Sequence, residues 1–169
     1  TGPRDLEAAF SAHVDDIIVF ADPNVKAICV NNWDTDGDGE LTYDEAAAVT
    51  SLDYAFSWQT DITSFDELQY FTGLTYINES AFFDCHSLVS VIIPNTVIYI
   101  GYRTFYRCYA LETVNIPAGV TNIEEATFGY CHSLASIDIP SSVESIYYEA
   151  FSECYSLTSI ELPASVTYI

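Results

Sequence analysis

One stretch of sequence is used four times, and its return decides what this chain can fold into. Ile77, Ile100, Ile123, Ile146 and Ile169 stand 23 residues apart. Four more columns keep that period: Phe82, Phe105, Phe128 and Phe151; Cys85, Cys108, Cys131 and Cys154; Leu88, Leu111, Leu134 and Leu157; Pro94, Pro117, Pro140 and Pro163. A unit this short cannot bury an apolar face alone. It must stack on a copy of itself, so the pattern predicts a solenoid whose neighbouring repeats share one core.

Each copy predicts a strand. Residues 88–94 read L-V-S-V-I-I-P, with Val91 and Ile93 inward and Pro94 ending the ladder. The later inward pairs are Val114 and Ile116, Ile137 and Ile139, Ile160 and Leu162. Residues 97–100 are expected to build the opposite face. Parallel stacking places equivalent residues about 4.8 Å apart. The outward row is then Ser90, Thr113, Ser136 and Ser159. The position after each cysteine holds His86, Tyr109, His132 and Tyr155, an aromatic stripe beside the open face. Rings with polar tips offer apolar area at low entropic cost, and sugar faces stack on them. Stripe and hydroxyl row together are the candidate ligand surface. The competing reading has the rings only cover the cysteine ladder.

Upstream of the repeats the chain reads as helical. Residues 3–14 carry an apolar stripe on which His13 is a core-edge residue rather than a ligand. Residues 17–20 are a short extended run. Asp22-Pro23 is a helix start, followed by an apolar face of Val25, Ile28, Cys29 and Trp33.

Residues 34–45 read D-T-D-G-D-G-E-L-T-Y-D-E and fit the EF-hand calcium loop at every position. A calcium ion takes six to eight oxygens. Asp34, Asp36 and Asp38 supply carboxylates, Glu40 its carbonyl, Thr42 a position that acts through water, and Glu45 a bidentate closure. Gly39 permits the turn, and Leu41 is the apolar residue that usually meets a second loop. No second loop exists, so Ca2+ is expected as a structural clip rather than a signal. Thr42-x-x-Glu45 is also a capping box, so the competing reading is an acidic turn before a helix over residues 43–52. Ser64-x-x-Glu67 is expected to cap another helix over residues 65–71, ended by Gly73.

The expected architecture is α+β: a helical N-terminal region over residues 1–61 with its EF-hand-like loop, a solenoid cap over 62–76, and four 23-residue repeats over 77–169. The repeat I-x-x-x-A-F-x-x-C-x-S-L-x-S-I-x-I-P-x-S-V-x-x-I, clearest from Ile146 onward, resembles that of BspA-like leucine-rich-repeat proteins of bacterial surfaces and secretions. Residues 77–169 carry the resemblance, with Thr104, Thr127 and Gly119 as small departures. It implies export, adhesion, and recognition of a host protein or glycan, with no shared catalytic residues.

Net charge is −21, with fifteen acids in residues 1–76 against Arg4 and Lys26. That balance excludes nucleic acid and anionic membrane partners. No apolar run reaches the roughly 20 residues of a membrane span. The chain lacks methionine and opens TGPRD, which reads as a start from which any export signal has gone. Cys85-His86 and Cys131-His132 lie two repeats apart, too far for one tetrahedral zinc. Asp138 and Glu161 share a ladder position and invite comparison with a glycosidase pair, but no pocket is expected there. The cysteines are expected as buried free thiols. A structural stalk is the main alternative to a binding module, and a glycan hydrolase a remote one. The last repeat carries no polar cap, which suggests a longer natural chain or self-association through that end.

Overall fold

A computed structural model describes residues 16–169. The expected helix over residues 3–14, with His13, lies outside the described residues.

The N-terminal part is built on two helices. Asp22 caps α1 (Pro23–Trp33), its carboxylate accepting from the N–H groups of Asn24 and Val25. Pro23 sits in the first turn, where a helix needs no N–H. α1 buries Val25 and Cys29 and lays Trp33 against Phe56 and Phe71, with ring centroids 6.1 and 5.5 Å apart. α2 (Tyr43–Ala48) opens on the reciprocal Thr42–Glu45 box. It stops short of the expected residue 52, because Val49 is extended. The carbonyls of Ala47 and Val49 there press on Gly73, where a Cβ would lie 2.4 and 2.6 Å from them. Gly73 therefore permits a close backbone approach and does not end a helix.

The extended run meets the acidic loop. Ile18 N–H donates to the Leu41 carbonyl, and Tyr43 N–H to that of Asp16, both at 2.9 Å. Leu41 is fully buried, so this extended run takes the place of a partner loop.

The Ser64 capping box does not form. Ser64–Phe65 is strand β1, followed by a 3-10 turn, Asp66–Tyr70, with no side-chain cap. Glu67 Oε1 instead accepts the Ala21 N–H at 2.9 Å. Phe56 and Ile62 stand 26 residues before Phe82 and Leu88, whereas Leu74 and Ile77 stand 23 before Val97 and Ile100. The difference is three residues, taken up around the 3-10 turn. A further turn of the solenoid is thus present in the stretch expected to be a helical cap.

Strands β2 (Tyr76–Ile77), β3 (Ser90–Val91), β4 (Tyr99–Ile100), β5 (Thr113–Val114), β6 (Asn122–Ile123) and β7 (Ser145–Ile146) are all two residues long, far shorter than the runs expected. The rest of each repeat is turn. One face pairs β1, β3 and β5 in parallel, with Ser64, Ser90 and Thr113 in register. The other pairs β2 with β4 and β6 with β7.

Between the faces run two columns. Phe56, Phe82, Phe105, Phe128 and Phe151 stack with centroids 5.2 to 5.6 Å apart. Beside them each repeat thiol donates to the phenylalanine carbonyl of the preceding turn: Cys85 to Phe56 at 3.0 Å, Cys108 to Phe82 at 3.1 Å, Cys131 to Phe105 at 3.2 Å, and Cys154 to Phe128 at 3.1 Å. All five cysteines are buried and free. The turns place two residues per repeat in the left-handed region: Ser80, Arg103, Ala126 and Glu149, then Asp84, Arg107, Tyr130 and Glu153. None is glycine, and each costs on the order of 1 kcal/mol or more. In return Ser80, Arg103 and Ala126 donate N–H groups to carbonyls of the following repeat, as do Asp84, Arg107 and Tyr130.

Of the expected inward residues, Val91, Ile93, Ile116 and Ile137 are buried and Val114 and Ile139 are half-buried against the core, whereas Ile160 is half-buried and Leu162 exposed. No following repeat covers them among the described residues.

Candidate functional site

A groove of about 850 Å³ opens over the β3 and β5 end of the β1-β3-β5 face. Sequence reasoning expected no pocket there. The side chains it joins sit at one ladder position in successive repeats: Ile92, Asn115 and Asp138, with Thr113 and Ser136 of the hydroxyl row beside them. Gln69, from the 3-10 turn, lines it too. Asn115 is fixed, because its Oδ1 accepts the Ile93 N–H at 2.7 Å and its Nδ2 donates to the Ile93 carbonyl at 2.9 Å. The side chain replaces the ladder bonds where strand pairing has ended. Such a surface offers amide, hydroxyl and carboxylate groups over an apolar floor, which suits a polar ligand with apolar patches. Of the hydroxyl row, Thr113 and Ser136 line the groove, while Ser90 and Ser159 lie outside it.

The aromatic stripe forms at strand spacing. His86 to Tyr109, Tyr109 to His132 and His132 to Tyr155 are each 4.8 Å between centroids, with planes 35°, 29° and 29° apart. The rings therefore lie on one another. The faces of Tyr109 and His132 are covered by their neighbours, and a sugar cannot stack on them. Between neighbours only edges and polar tips meet solvent, whereas the end ring, Tyr155, is 72% exposed. His86 Nε2 is 2.7 Å from the carboxylate of the buried Asp84, which orients the first ring of the pile.

The acidic loop brings together three of its expected ligands. One carboxylate oxygen from each of Asp34, Asp36 and Asp38 lies within 4.8 Å of the others. That spread fits oxygens about 2.4 Å from a common calcium ion. Gly37 and Gly39 adopt φ of 76° and 87°, which turn their N–H groups onto Asp34 at 2.7 and 2.9 Å. The Gly39 N–H, against partial desolvation and with help from Gly37, holds the Asp34 carboxyl below its usual range. Glu45 is placed differently. Its Oε1 accepts from the N–H and hydroxyl of Thr35, and its Oε2 from those of Thr42, at 2.7 to 2.9 Å. Burial works to raise its pKa, but these donors outweigh it and bring the carboxyl down to about 2. The Glu40 carboxylate pairs with Lys26.

The thiols are not a reactive set. Burial drives the Cys108 and Cys131 pKa values well upward and that of Cys154 to about 11.

The sequence profile described as BspA type Leucine rich repeat region matches residues 51–169 in six copies. Its start at residue 51 agrees with the extra turn found around Phe56. Among solved structures, a leucine rich cell surface protein from Faecalibacterium prausnitzii A2-165 is 39% identical over 56% of this chain, with a TM-score of 0.55. A leucine-rich repeat protein from Bacteroides ovatus ATCC 8483 is 36% identical over 57% of the chain, with a TM-score of 0.53. The chain spans 25% of the length of each. No curated protein matches it.

Proposed function

Because this chain belongs to the BspA-type leucine-rich-repeat family, we propose that it is a non-enzymatic binding module of a bacterial cell-surface or secreted protein, recognising a protein or glycan. The ligand lies in the groove over the β1-β3-β5 face. The observation that carries this reading is the convergence of Gln69, Ile92, Thr113, Asn115, Ser136 and Asp138 on one opening, with Asn115 locked by two hydrogen bonds. The fold assembles these residues from three repeats and the turn before them. No helix of the described residues is long and apolar enough to cross a membrane.

The test has two steps. The 169-residue chain is screened on glycan and host-protein arrays, and the strongest ligand is titrated by calorimetry. The titration is repeated with Ser136→Trp/Asp138→Arg, which fills the groove, and with Tyr109→Ala/Tyr155→Ala, which opens the stripe. The groove reading expects the first variant to lose binding and the second to keep it. A ligand that binds the filled groove at parent affinity rules the groove out. Absence of any ligand on both arrays favours a stalk.

The acidic loop is proposed as a calcium clip. Asp34, Asp36 and Asp38 would hold the ion with the Glu40 carbonyl, and Thr42 would act through water. Glu45 would join them only by giving up hydrogen bonds to Thr35 and Thr42. The ion supplies positive charge to a cluster of acids that otherwise repel. Calorimetry with calcium chloride on chelator-stripped protein tests this, and no heat of binding at millimolar calcium sinks it.

A further inference from the structure

We propose that the left-handed turn face of the solenoid is a self-complementary surface on which a second copy of this chain docks about a twofold axis. The two rows of left-handed residues change charge along the solenoid. Arg103 and Arg107 lie in one repeat, Ala126 and Tyr130 in the next, and Glu149 and Glu153 in the one after. All six have φ between 52° and 63°, so equivalent side chains leave the backbone alike. The order is therefore two positive charges, none, then two negative charges, at equal steps. With ring centroids 4.8 Å apart from repeat to repeat, the two pairs stand about 10 Å apart, by twice the strand spacing.

An isologous interface requires that where one residue meets a second, the second meets the first. A twofold axis across the middle repeat, passing beside the half-buried Tyr130, does this. It carries each arginine pair onto the partner's glutamate pair and brings the two Tyr130 rings together, with Glu125 at the edge of the contact. The arginines are already ordered: Arg103 lies over Tyr102 and Tyr106 at 4.9 and 5.2 Å, and Arg107 over Tyr106 at 5.6 Å. Stacked guanidinium groups keep their outer edges for a carboxylate. Arg103 enters no ion pair among the described residues, and Arg107 lies 3.8 Å from Asp84. In a chain of net charge −21 these are the only arginines among the described residues, and the one lysine there, Lys26, is already paired with Glu40. Aromatic rings with arginine are also the side chains most enriched at protein interfaces.

Sedimentation equilibrium of the 169-residue chain at 0.15 M salt tests the proposal. The expected result is a concentration-dependent dimer. Arg103→Glu/Arg107→Glu should raise its dissociation constant about 100-fold or more, since like charges then face each other. Glu149→Arg/Glu153→Arg should do the same, and an equimolar mixture of the two variants should restore a heterodimer. Circular dichroism establishes that each variant is folded. If either variant fails to fold, Tyr130→Cys provides the second measurement. Beside the axis it faces its own symmetry mate, so oxidised glutathione should convert it to a disulfide-linked dimer. A parent that stays monomeric at several hundred micromolar overturns the proposal. So does a dimer indifferent to both charge reversals, which would place association at another surface such as the exposed last repeat.

Discussion

The two ends of the phenylalanine column are finished differently. At the N-terminal end Phe56 is fully buried: Trp33 and Phe65 lie against it, with centroids 6.1 and 4.7 Å away, and Phe71 packs on both. At the other end Phe151 has a ring on one side only and is half-buried, and Ile169 is 80% exposed. The same repeat chemistry thus gives a closed core where α1 and the 3-10 turn meet it, and an open one at the last of the described repeats. Burial here belongs to the junction between turns and not to the turn itself.

The largest test of that difference is deletion of a ring. Phe105→Ala removes a side chain stacked on both faces and should cost about 3–5 kcal/mol in urea unfolding. Phe151→Ala should cost about half as much, because part of its ring is already in water. Equal costs would mean that both ends are equally closed.

Calcium should act on the sealed end. If it binds only the folded loop, an ion at 100 times its dissociation constant adds about 2.7 kcal/mol. Chelation should then lower Tm, and hydrogen exchange should quicken in α1, α2 and β1 before it quickens in β7. Uniform acceleration would show that the seal and the array unfold as one.

Asp22 holds the seal in place. Its carboxylate caps α1 and also accepts the Thr63 N–H and hydroxyl. Burial would raise its pKa, but the Thr63 bonds, followed by those from Asn24 and Val25, outweigh it and lower the pKa. A carboxyl depressed in the folded state contributes stability above its unfolded pKa of about 3.9, and that contribution is lost as pH falls through the lower folded value. Asp22→Asn should therefore cost about 1–2 kcal/mol at pH 7. It should also flatten the loss of stability below pH 4. An unchanged acid limb would show that other carboxylates control it.

The smallest effect is kinetic. Cys154 lies beside the open end with a pKa of about 11, while Cys108 and Cys131 are fully enclosed and burial raises them well above the ordinary thiol value. Iodoacetamide with mass spectrometry should label Cys154 first. Earlier labelling of Cys108 would contradict the order of burial.

The array itself was legible, because a fixed period needs no three-dimensional information. The five columns from Ile77 onward name the core, the parallel register and the spacing of the stripe. The extra turn around Phe56 was hidden by the three residues that break the period. Ser64 and Glu67 look like a cap locally, but pairing with Ser90 and a bond to Ala21 claim them first. The ladder position shared by Ile92, Asn115 and Asp138 follows from the period, but the groove over it does not, because Gln69 from the 3-10 turn and the curvature of the face are set by the fold. The spacing of the stripe reads from the period, while the stacking of its rings on one another does not, since spacing places rings without fixing their planes. In the loop, the Asp34, Asp36 and Asp38 pattern reads directly, while the engagement of Glu45 with Thr35 and Thr42 depends on side-chain rotamers.

The thiol-to-carbonyl bonds give the solenoid a direction and a unit of growth. The turns at Phe56, Phe82, Phe105 and Phe128 each offer a phenylalanine carbonyl forward and receive a thiol from the turn after. A copied 23-residue segment, inserted after Ile123, would find both partners already in place. Each duplication would lengthen the column by about 4.8 Å without altering what either end must satisfy. Reach is thereby separated from stability. A gene carrying this design can change the distance a binding face stands from its support in whole steps, by unequal recombination alone, with no new interaction to invent.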